Sequence, residues 1–277
     1  MRTLQAFRAI AQSCCIVVGL LSTAQAQVPV PDAVYTPLVG QQGKDVVWVP
    51  SPQALVDRML EMAKVTPNDF LVDLGSGDGR TVITAAKRGV RSLGIEYNPD
   101  LVALSQKAAE AAGVTKLAEF VQGDIFESDF SKATVVTMFL LPDLNLRLRP
   151  TLLEMKPGTR LVSNTFHMED WEADDRVEAG DDCSNYCRAF LWIVPAKVDG
   201  KWQLPGGQLS LNQKYQMVSG TMTLAGKESK ITNGRMNGDT ISFVVDGRRL
   251  TGRVSGNMME LKGESPNAPS TLTATRS

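Results

Sequence analysis

Histidine is nearly missing from this sequence: His167 stands alone in 277 residues, beside only four cysteines. A metal centre built on imidazole and thiolate needs three or four such ligands close together. Two of the cysteines, Cys14 and Cys15, sit in an apolar N-terminal stretch. The other two, Cys183 and Cys187, follow His167 at a distance. No metal is expected. Basic runs are missing too, and a phosphate backbone requires clustered Lys and Arg, so nucleic acid is not the expected partner. No apolar run reaches the roughly 18–20 residues that span a bilayer. What remains, 43% hydrophobic and 21% charged residues, is the composition of an ordinary globular protein.

The chain begins MRTLQAFR, with Arg2 and Arg8 and no acid, and continues into AIAQSCCIVVGLLSTA. Ala24-Gln25-Ala26 then offers a small-x-small cleavage site, so residues 1–26 read as a signal peptide. Cys14 and Cys15 lie inside the apolar stretch rather than after the cleavage box, which argues against a lipid anchor. The expected location is outside the cytosol, in the periplasm, with no stable membrane insertion after cleavage. Left uncleaved, the segment would keep the domain cytosolic or tethered. Without Arg2 and Arg8 the chain carries 27 basic and 30 acidic residues, a charge of −3. In an exported protein Cys183 and Cys187, spaced C-x-x-x-C, can close a small disulfide loop; free thiols are the other outcome.

Residues 27–50, rich in proline at their start, read as an extended lead-in. Ser51 as N-cap and Pro52 in the first turn open a helix with Leu55, Met59 and Met62 on one face. From Phe70 strand and helix alternate: FLVDL and TVITAAKRG, SLGIE and PDLVALSQKAAEAAG, then LAEFVQ, TVVTMFLL and RLVSNTF. Pro150 is expected to kink or divide the helix after TVVTMFLL. WEADDRVEAG and RAFLWIVPAKV supply a sixth and a seventh strand. Five βα units imply an α/β fold, a parallel sheet with helices on both faces, over residues 51–198. Residues 199–264 change texture: short β runs cut by Gly or Asn-Gly read as a small antiparallel meander of the barrel or sandwich kind. Residues 265–277 read as a disordered tail.

The stretch LVDLGSGDGR joins the first strand to its helix. A dinucleotide fingerprint would place a third glycine where Arg80 stands, and a phosphate-binding loop would need Gly-Lys-Ser/Thr. Neither fits. Asp73, Gly75, Gly77 and Gly79 instead alternate, an acid followed by a bare turn that a ligand's amino-acid moiety can approach closely. Glu96 ends the second strand, where a carboxylate accepts from two ribose hydroxyls. Asp124 follows the third, within reach of an adenine amino group.

VDLGSGDGR, GIEYNP and QGDIF resemble the three cofactor motifs of class I, seven-strand S-adenosylmethionine-dependent methyltransferases, over roughly Val46–Val198. The resemblance implies a Rossmann-like sheet with S-adenosylmethionine along its edge. Gly75, Ser76, Gly77 and Gly79 would line the methionine end with Asp73. Glu96 would hold the ribose beside Tyr97, and Asp124 and Ile125 would flank adenine. VWVPSPQALVDRML, MFLLPDLNLRLRP and GTRLVSNTF further resemble the lysine methyltransferases of ATP synthase c-subunit type and related bacterial proteins, in which the VPS-like segment folds over the cofactor.

Methyl transfer from a sulfonium is an in-line displacement, so aligning the nucleophile supplies most of the acceleration. A lysine acceptor must be neutral, which calls for a base or for desolvation. Asp143 is the candidate acceptor-facing carboxylate, or else an acid facing a helix dipole. From the fifth strand Asn164, Thr165 and His167 are near enough to the acceptor to matter. Asn164 is the second catalytic candidate beside Asp143, and His167 is either a base or an incidental loop residue. Trp48 and Tyr97 are available to stack near the cofactor or simply to pack. The Asn/Asp-Pro-Pro-aromatic motif of adenine and glutamine methyltransferases is missing, which disfavours those substrates. The leading expectation is an enzyme acting on a protein lysine. A small-molecule methyltransferase and a non-catalytic exported binding protein remain open alternatives.

Overall fold

The computed structural model describes residues 35–180, 183–263 and 271–276, so residues 1–26, expected to be a signal peptide, and the start of the lead-in lie outside the described residues. Seven strands form the first sheet: β1 (Phe70–Leu74), β2 (Arg91–Glu96), β3 (Ala118–Gln122), β4 (Val135–Met138), β5 (Arg160–Asn164), β6 (Asp175–Glu178) and β7 (Arg188–Ile193). Their order is β3-β2-β1-β4-β5-β7-β6. The first five pair in parallel, whereas β7 runs antiparallel to both β5 and β6. The carboxyl ends of β1 to β5 and the amino end of β7 therefore share one edge.

Both faces of the sheet's middle are covered, which is why β1, β4, β5 and β7 are buried along nearly their whole length, whereas the edge strands β3 and β6 are largely exposed. Leu71, Val135, Val162 and Leu191 pack under α1 (Gln53–Met62), through Leu55, Val56, Met59 and Leu60. On the other face Val72, Val136, Leu161 and Trp192 meet α4 (Pro142–Leu153) through Leu148 and Leu152. Helices α2 (Arg80–Lys87) and α3 (Pro99–Ala111) pack together over β3, around Val82, Val102 and Phe120.

Three local expectations need correction. The cap of α1 is Pro52, and Ser51 is diverted to other partners described below. Pro150 does not divide α4: the helix continues to Leu153, with buried Leu148 and Leu152 holding the last turn despite the missing N–H. The apolar run TVVTMFLL is not all strand, because β4 ends at Met138 and Phe139, Leu140 and Leu141 form the connection to α4, with Leu140 still buried in the core.

The C-terminal unit is a closed, all-antiparallel barrel of eight strands: β8 (Gly200–Leu204), β9 (Gly207–Lys214), β10 (Met217–Leu224), β11 (Lys227–Asn237), β12 (Thr240–Val245), β13 (Arg248–Ser255), β14 (Met258–Gly263) and β15 (Thr271–Arg276). The expectation of a disordered tail fails at Thr271–Arg276. This segment pairs with β14 on one side and with Gln203 and Trp202 of β8 on the other. Closure satisfies two strand edges that would otherwise be exposed. Trp202, Leu209, Ile241, Phe243, Met259 and Leu261 fill the interior. Some glycines that seemed to break strands lie within them. A Cβ on Gly220 would stand 1.9 Å from the Ser210 carbonyl oxygen, so the chain can cross there only without a side chain.

The barrel holds the β5–β6 connection of the first sheet through its β9–β10 turn and β11. Tyr215 stacks on Trp171, with ring centroids 5.6 Å apart, and its hydroxyl donates to Asp170 (2.9 Å). Gln216 donates to the Glu172 carbonyl (2.7 Å), and Arg235 pairs with Asp174 (2.5 Å).

Candidate functional site

The acid and glycines of the first motif fold as a turn at the carboxyl end of β1, with Gly75, Gly77 and Gly79 all at positive φ (75°, 56° and 78°). Their roles differ. A Cβ on Gly77 would lie 2.8 Å from Trp48 Nε1, so this glycine lets an indole lie across the turn. A Cβ on Gly79 would lie 2.7 Å from the Phe120 ring and 2.9 Å from Ser105 Cβ. Gly79 thus packs helix against sheet behind the turn, while its neighbours Asp78 and Arg80 line the cleft.

Asp73, Gly75, Ser76, Gly77, Glu96, Tyr97, Asp124 and Ile125 line one cleft along the strand ends. Asp73 is buried, and Thr137 donates to its carboxylate (2.6 Å). Burial pushes its pKa up to about 7 against the help of Thr137, and the negative Glu96 and Asp78 add to the rise. The Glu96 carboxylate is fixed by two backbone donors, Gly77 N–H to Oε2 and Asn98 N–H to Oε1, both at 2.9 Å. Asp124 Oδ1 accepts from Phe126 N–H (2.9 Å), and Oδ2 pairs with the Lys44 ammonium. That hydrogen bond holds Asp124 below the usual carboxylate range and raises Lys44, although desolvation partly opposes it on both groups.

The lead-in is not merely extended. Gly40–Trp48 forms a small hairpin, closed by Gly40 N–H to Trp48 O and Trp48 N–H to Gln41 O (both 2.9 Å), and it walls the cleft. Behind it, Arg80 donates to the Ser51 carbonyl (2.7 Å) while pairing with Asp78 (2.5 Å). Trp48 and Tyr97, expected near the cofactor, both line the cleft, and the Lys44 ammonium lies 4.8 Å from the Tyr97 ring centroid.

The two catalytic candidates fall elsewhere. Asp143 is exposed in the first turn of α4, between the cleft-lining Leu141 and Leu144 but not itself lining the cleft, a position that suits an acid facing the helix dipole. Asn164 is fully buried at the end of β5, outside the lining, where Nδ2 donates to Ser51 Oγ (2.9 Å) and Oδ1 accepts from the Thr165 hydroxyl (2.8 Å). It anchors the hairpin's base to the sheet. His167 is exposed, with its ring 3.8 Å from that of Phe190.

Beyond β1 the lining changes character. Phe139, Leu140 and Leu141 come from the β4–α4 connection and Leu144 from the first turn of α4, Phe166 follows β5, and Tyr186 precedes β7. Sheet order thus runs the cleft from Asp124, past Glu96 and the glycine turn, to an apolar, aromatic far wall. Every acid lining it among the described residues lies on the near side: Asp45 on the hairpin, Asp73 and Asp78 at the turn, Glu96 and Asp124 at the next two strand ends. Lys44, Phe139 and Tyr186 were missed from sequence. Lys44 had a weak signal in the Gly43-Lys44-Asp45 turn, and Tyr186 a better one, an aromatic inside C-x-x-x-C.

The site's chemistry suits an adenosyl amino acid. The backbone turn tolerates no side chain at Gly77, the buried Asp73 faces it, and the fixed Glu96 carboxylate is an acceptor set for hydroxyls. The ANTKMT methyltransferase domain matches residues 73–175. A protein-lysine N-methyltransferase of Saccharolobus islandicus (strain REY15A) is 43% identical over 152 residues, 54% of this chain and 94% of that protein. The ATP synthase c-subunit lysine N-methyltransferase of Mus musculus is 35% identical over 153 residues, 54% of this chain and 62% of its own length. Among solved structures, an RNA methyltransferase from Salinibacter ruber in complex with S-adenosyl-L-homocysteine is 49% identical, with a TM-score of 0.50, covering 54% of this chain and 96% of that one.

Proposed function

Given that the chain belongs to the S-adenosylmethionine-dependent methyltransferases of the ANTKMT type, we propose that it methylates the side-chain amine of a protein lysine. The observation that carries this reading is the change of character along the cleft, from acids and glycines to an acid-free aromatic wall.

Asp73 and the glycine turn would hold the amino-acid end of the cofactor, Glu96 its ribose and Asp124 with Ile125 its adenine. When bound, S-adenosylmethionine supplies an electrophilic methyl whose carbon–sulfur bond breaks as the acceptor nitrogen bonds to carbon. The chain's own task at the acceptor is to deliver a neutral amine. Phe139, Leu140, Leu144 and Phe166 exclude water, and burial in apolar surroundings lowers an amine's pKa, so the ammonium sheds its proton to solvent before attack. No carboxylate base is needed, in keeping with the positions of Asp143 and Asn164. Asn145 Nδ2 supports this wall from α4, lying 3.3 Å from the Phe166 carbonyl oxygen.

The names of the two lysine-methylating relatives support a protein acceptor, whereas the Salinibacter ruber relative is named for RNA. For this chain the cleft's cations favour protein: Lys44 and Arg80 are engaged by Asp124 and Asp78. We further place the domain outside the cytosol, a location that the Cys183–Cys187 disulfide suits. The test is labelled methyl transfer from S-adenosylmethionine to cell fractions. Label in protein of the envelope fraction is expected. Label confined to RNA or to small metabolites overturns the acceptor assignment, and no label anywhere leaves a binding protein.

A further inference from the structure

Among the described residues, Tyr186 is the one aromatic of the far wall that follows neither β4 nor β5. It sits in a five-residue loop closed by the Cys183–Cys187 disulfide, with Cα atoms 5.7 Å apart, at a φ of +55° that a tyrosine rarely adopts. Two backbone bonds fix the loop beside the site. Ala179 N–H donates to the Cys187 carbonyl (2.7 Å), and Thr165 N–H to the Arg188 carbonyl (2.7 Å), so the chain just after Tyr186 is tied to the residue just before Phe166. The Tyr186 ring meets Phe139 edge-on with centroids 5.1 Å apart, and Phe139 stacks with Phe166 at 6.0 Å. Tyr186 is nevertheless 41% exposed, an open face on a three-ring wall. A left-handed non-glycine residue persists only where its surroundings over-determine it, and such residues cluster at binding sites.

We propose that Phe139, Phe166 and Tyr186 form a slot for the linear alkyl stem of the acceptor lysine, and that the disulfide, by holding Tyr186 over the cleft, makes acceptor binding depend on oxidation. The inference rests on the lysine reading and adds the residues that select the side chain. The rings offer apolar faces to four methylenes, and their wall carries no acid to compete for the ammonium. Opening the disulfide removes the covalent closure of the Tyr186 loop, so Tyr186 leaves the wall while Phe139 and Phe166 stay. The cofactor end, built on β1 to β3, is untouched.

The test uses the full chain, oxidised and after reduction, with Tyr186→Ala, Tyr186→Phe and Cys183→Ser. Two binding measurements are made: calorimetry with S-adenosylhomocysteine, and NMR titration of the complex with Nα-acetyllysine amide. Losing one wall around a four-carbon stem corresponds to about a tenfold loss of affinity. Tyr186→Ala, Cys183→Ser and reduction should each weaken the amide by that factor and leave S-adenosylhomocysteine binding within twofold. Tyr186→Phe should bind like the wild type, and reduction should add nothing to Tyr186→Ala. An amide that binds all forms alike, or binds none, overturns the inference, as does reduction that weakens Tyr186→Ala further. Methyl transfer by the wild type is scored separately. If lysine is bound through Tyr186 but never methylated, the functional reading falls and the slot stands.

Discussion

The ammonium of Lys44, on the Gly40–Trp48 hairpin, is ion-paired with the carboxylate of Asp124, at the end of β3. One wall of the cleft is thereby latched to the other at the expected adenine end. Lys44→Ala should leave the fold intact and raise the cofactor's dissociation rate several-fold, since affinity changes within one site appear mainly in off-rates. The difference should shrink with added salt, because the pair is solvent-facing. Stopped-flow tryptophan fluorescence, with Trp48 on the same hairpin, measures it. Equal dissociation rates at low salt would refute the latch.

Gly77 faces the indole of Trp48. Gly77→Ala forces a left-handed alanine, costing roughly 1–2 kcal/mol, and sets a methyl 2.8 Å from Trp48 Nε1. The indole must swing off the turn. The expected outcome is a melting temperature lower by a few degrees and cofactor affinity reduced at least about tenfold. Trp48→Ala combined with Gly77→Ala should recover part of the stability loss but not the affinity. A Gly77→Ala protein that binds normally would show that the turn does not touch the cofactor.

Asp73 gives the site a pH signature. Its folded pKa of about 7 lies above the ordinary 3.8. Between those values the folded chain keeps a proton that the unfolded chain has lost, so this group's contribution to stability falls as pH rises from about 4 to 7 and is constant above. Asp73→Asn should flatten that part of the melting-temperature profile. A cationic amino group bound beside Asp73 favours the carboxylate, so cofactor affinity should rise as pH increases from about 5.5 toward 7, with proton release on binding. Affinity independent of pH over that range, measured by calorimetry in buffers of differing ionisation enthalpy, would contradict the assignment.

The barrel needs its last strand. Truncation after Gly263 removes β15, exposes the edges of β8 and β14 and takes buried Ala274 out of the core. A loss on the order of several kcal/mol is expected, with aggregation through the opened edges. Thermal melting and light scattering read both. An unchanged melting temperature would mean that the barrel is closed in some other way.

How much of this was legible in the sequence follows from how local each signal is. Asp73, Glu96 and Asp124 were readable because strand ends and turn glycines are written in a few adjacent residues, and parallel strands bring those ends to one edge. Tyr186 and Phe139 reach the same cleft only because β7 enters antiparallel and β4 stops early, facts of tertiary pairing that no short window contains. Lys44 is the same case, since its partner lies 80 residues away. Gly79 was expected at the cofactor and Asn164 at the acceptor because their positions match motif and strand end. Their surroundings, Phe120 and Ser105 behind Gly79 and Ser51 hydrogen-bonded to Asn164, are long-range contacts that those positions do not reveal. The β15 strand was hidden because TLTATR has no apolar run and is held in place by closing a ring.

In the proposed reaction a cofactor held by strand-end carboxylates delivers its methyl to a lysine on the aromatic wall. The most direct measurement is mass spectrometry of protein labelled by the wild type and by Glu96→Ala, after complete hydrolysis. The account predicts Nε-methylated lysine from the wild type and at most traces from Glu96→Ala. Methyl groups on any other residue, or equal labelling by both proteins, would contradict it.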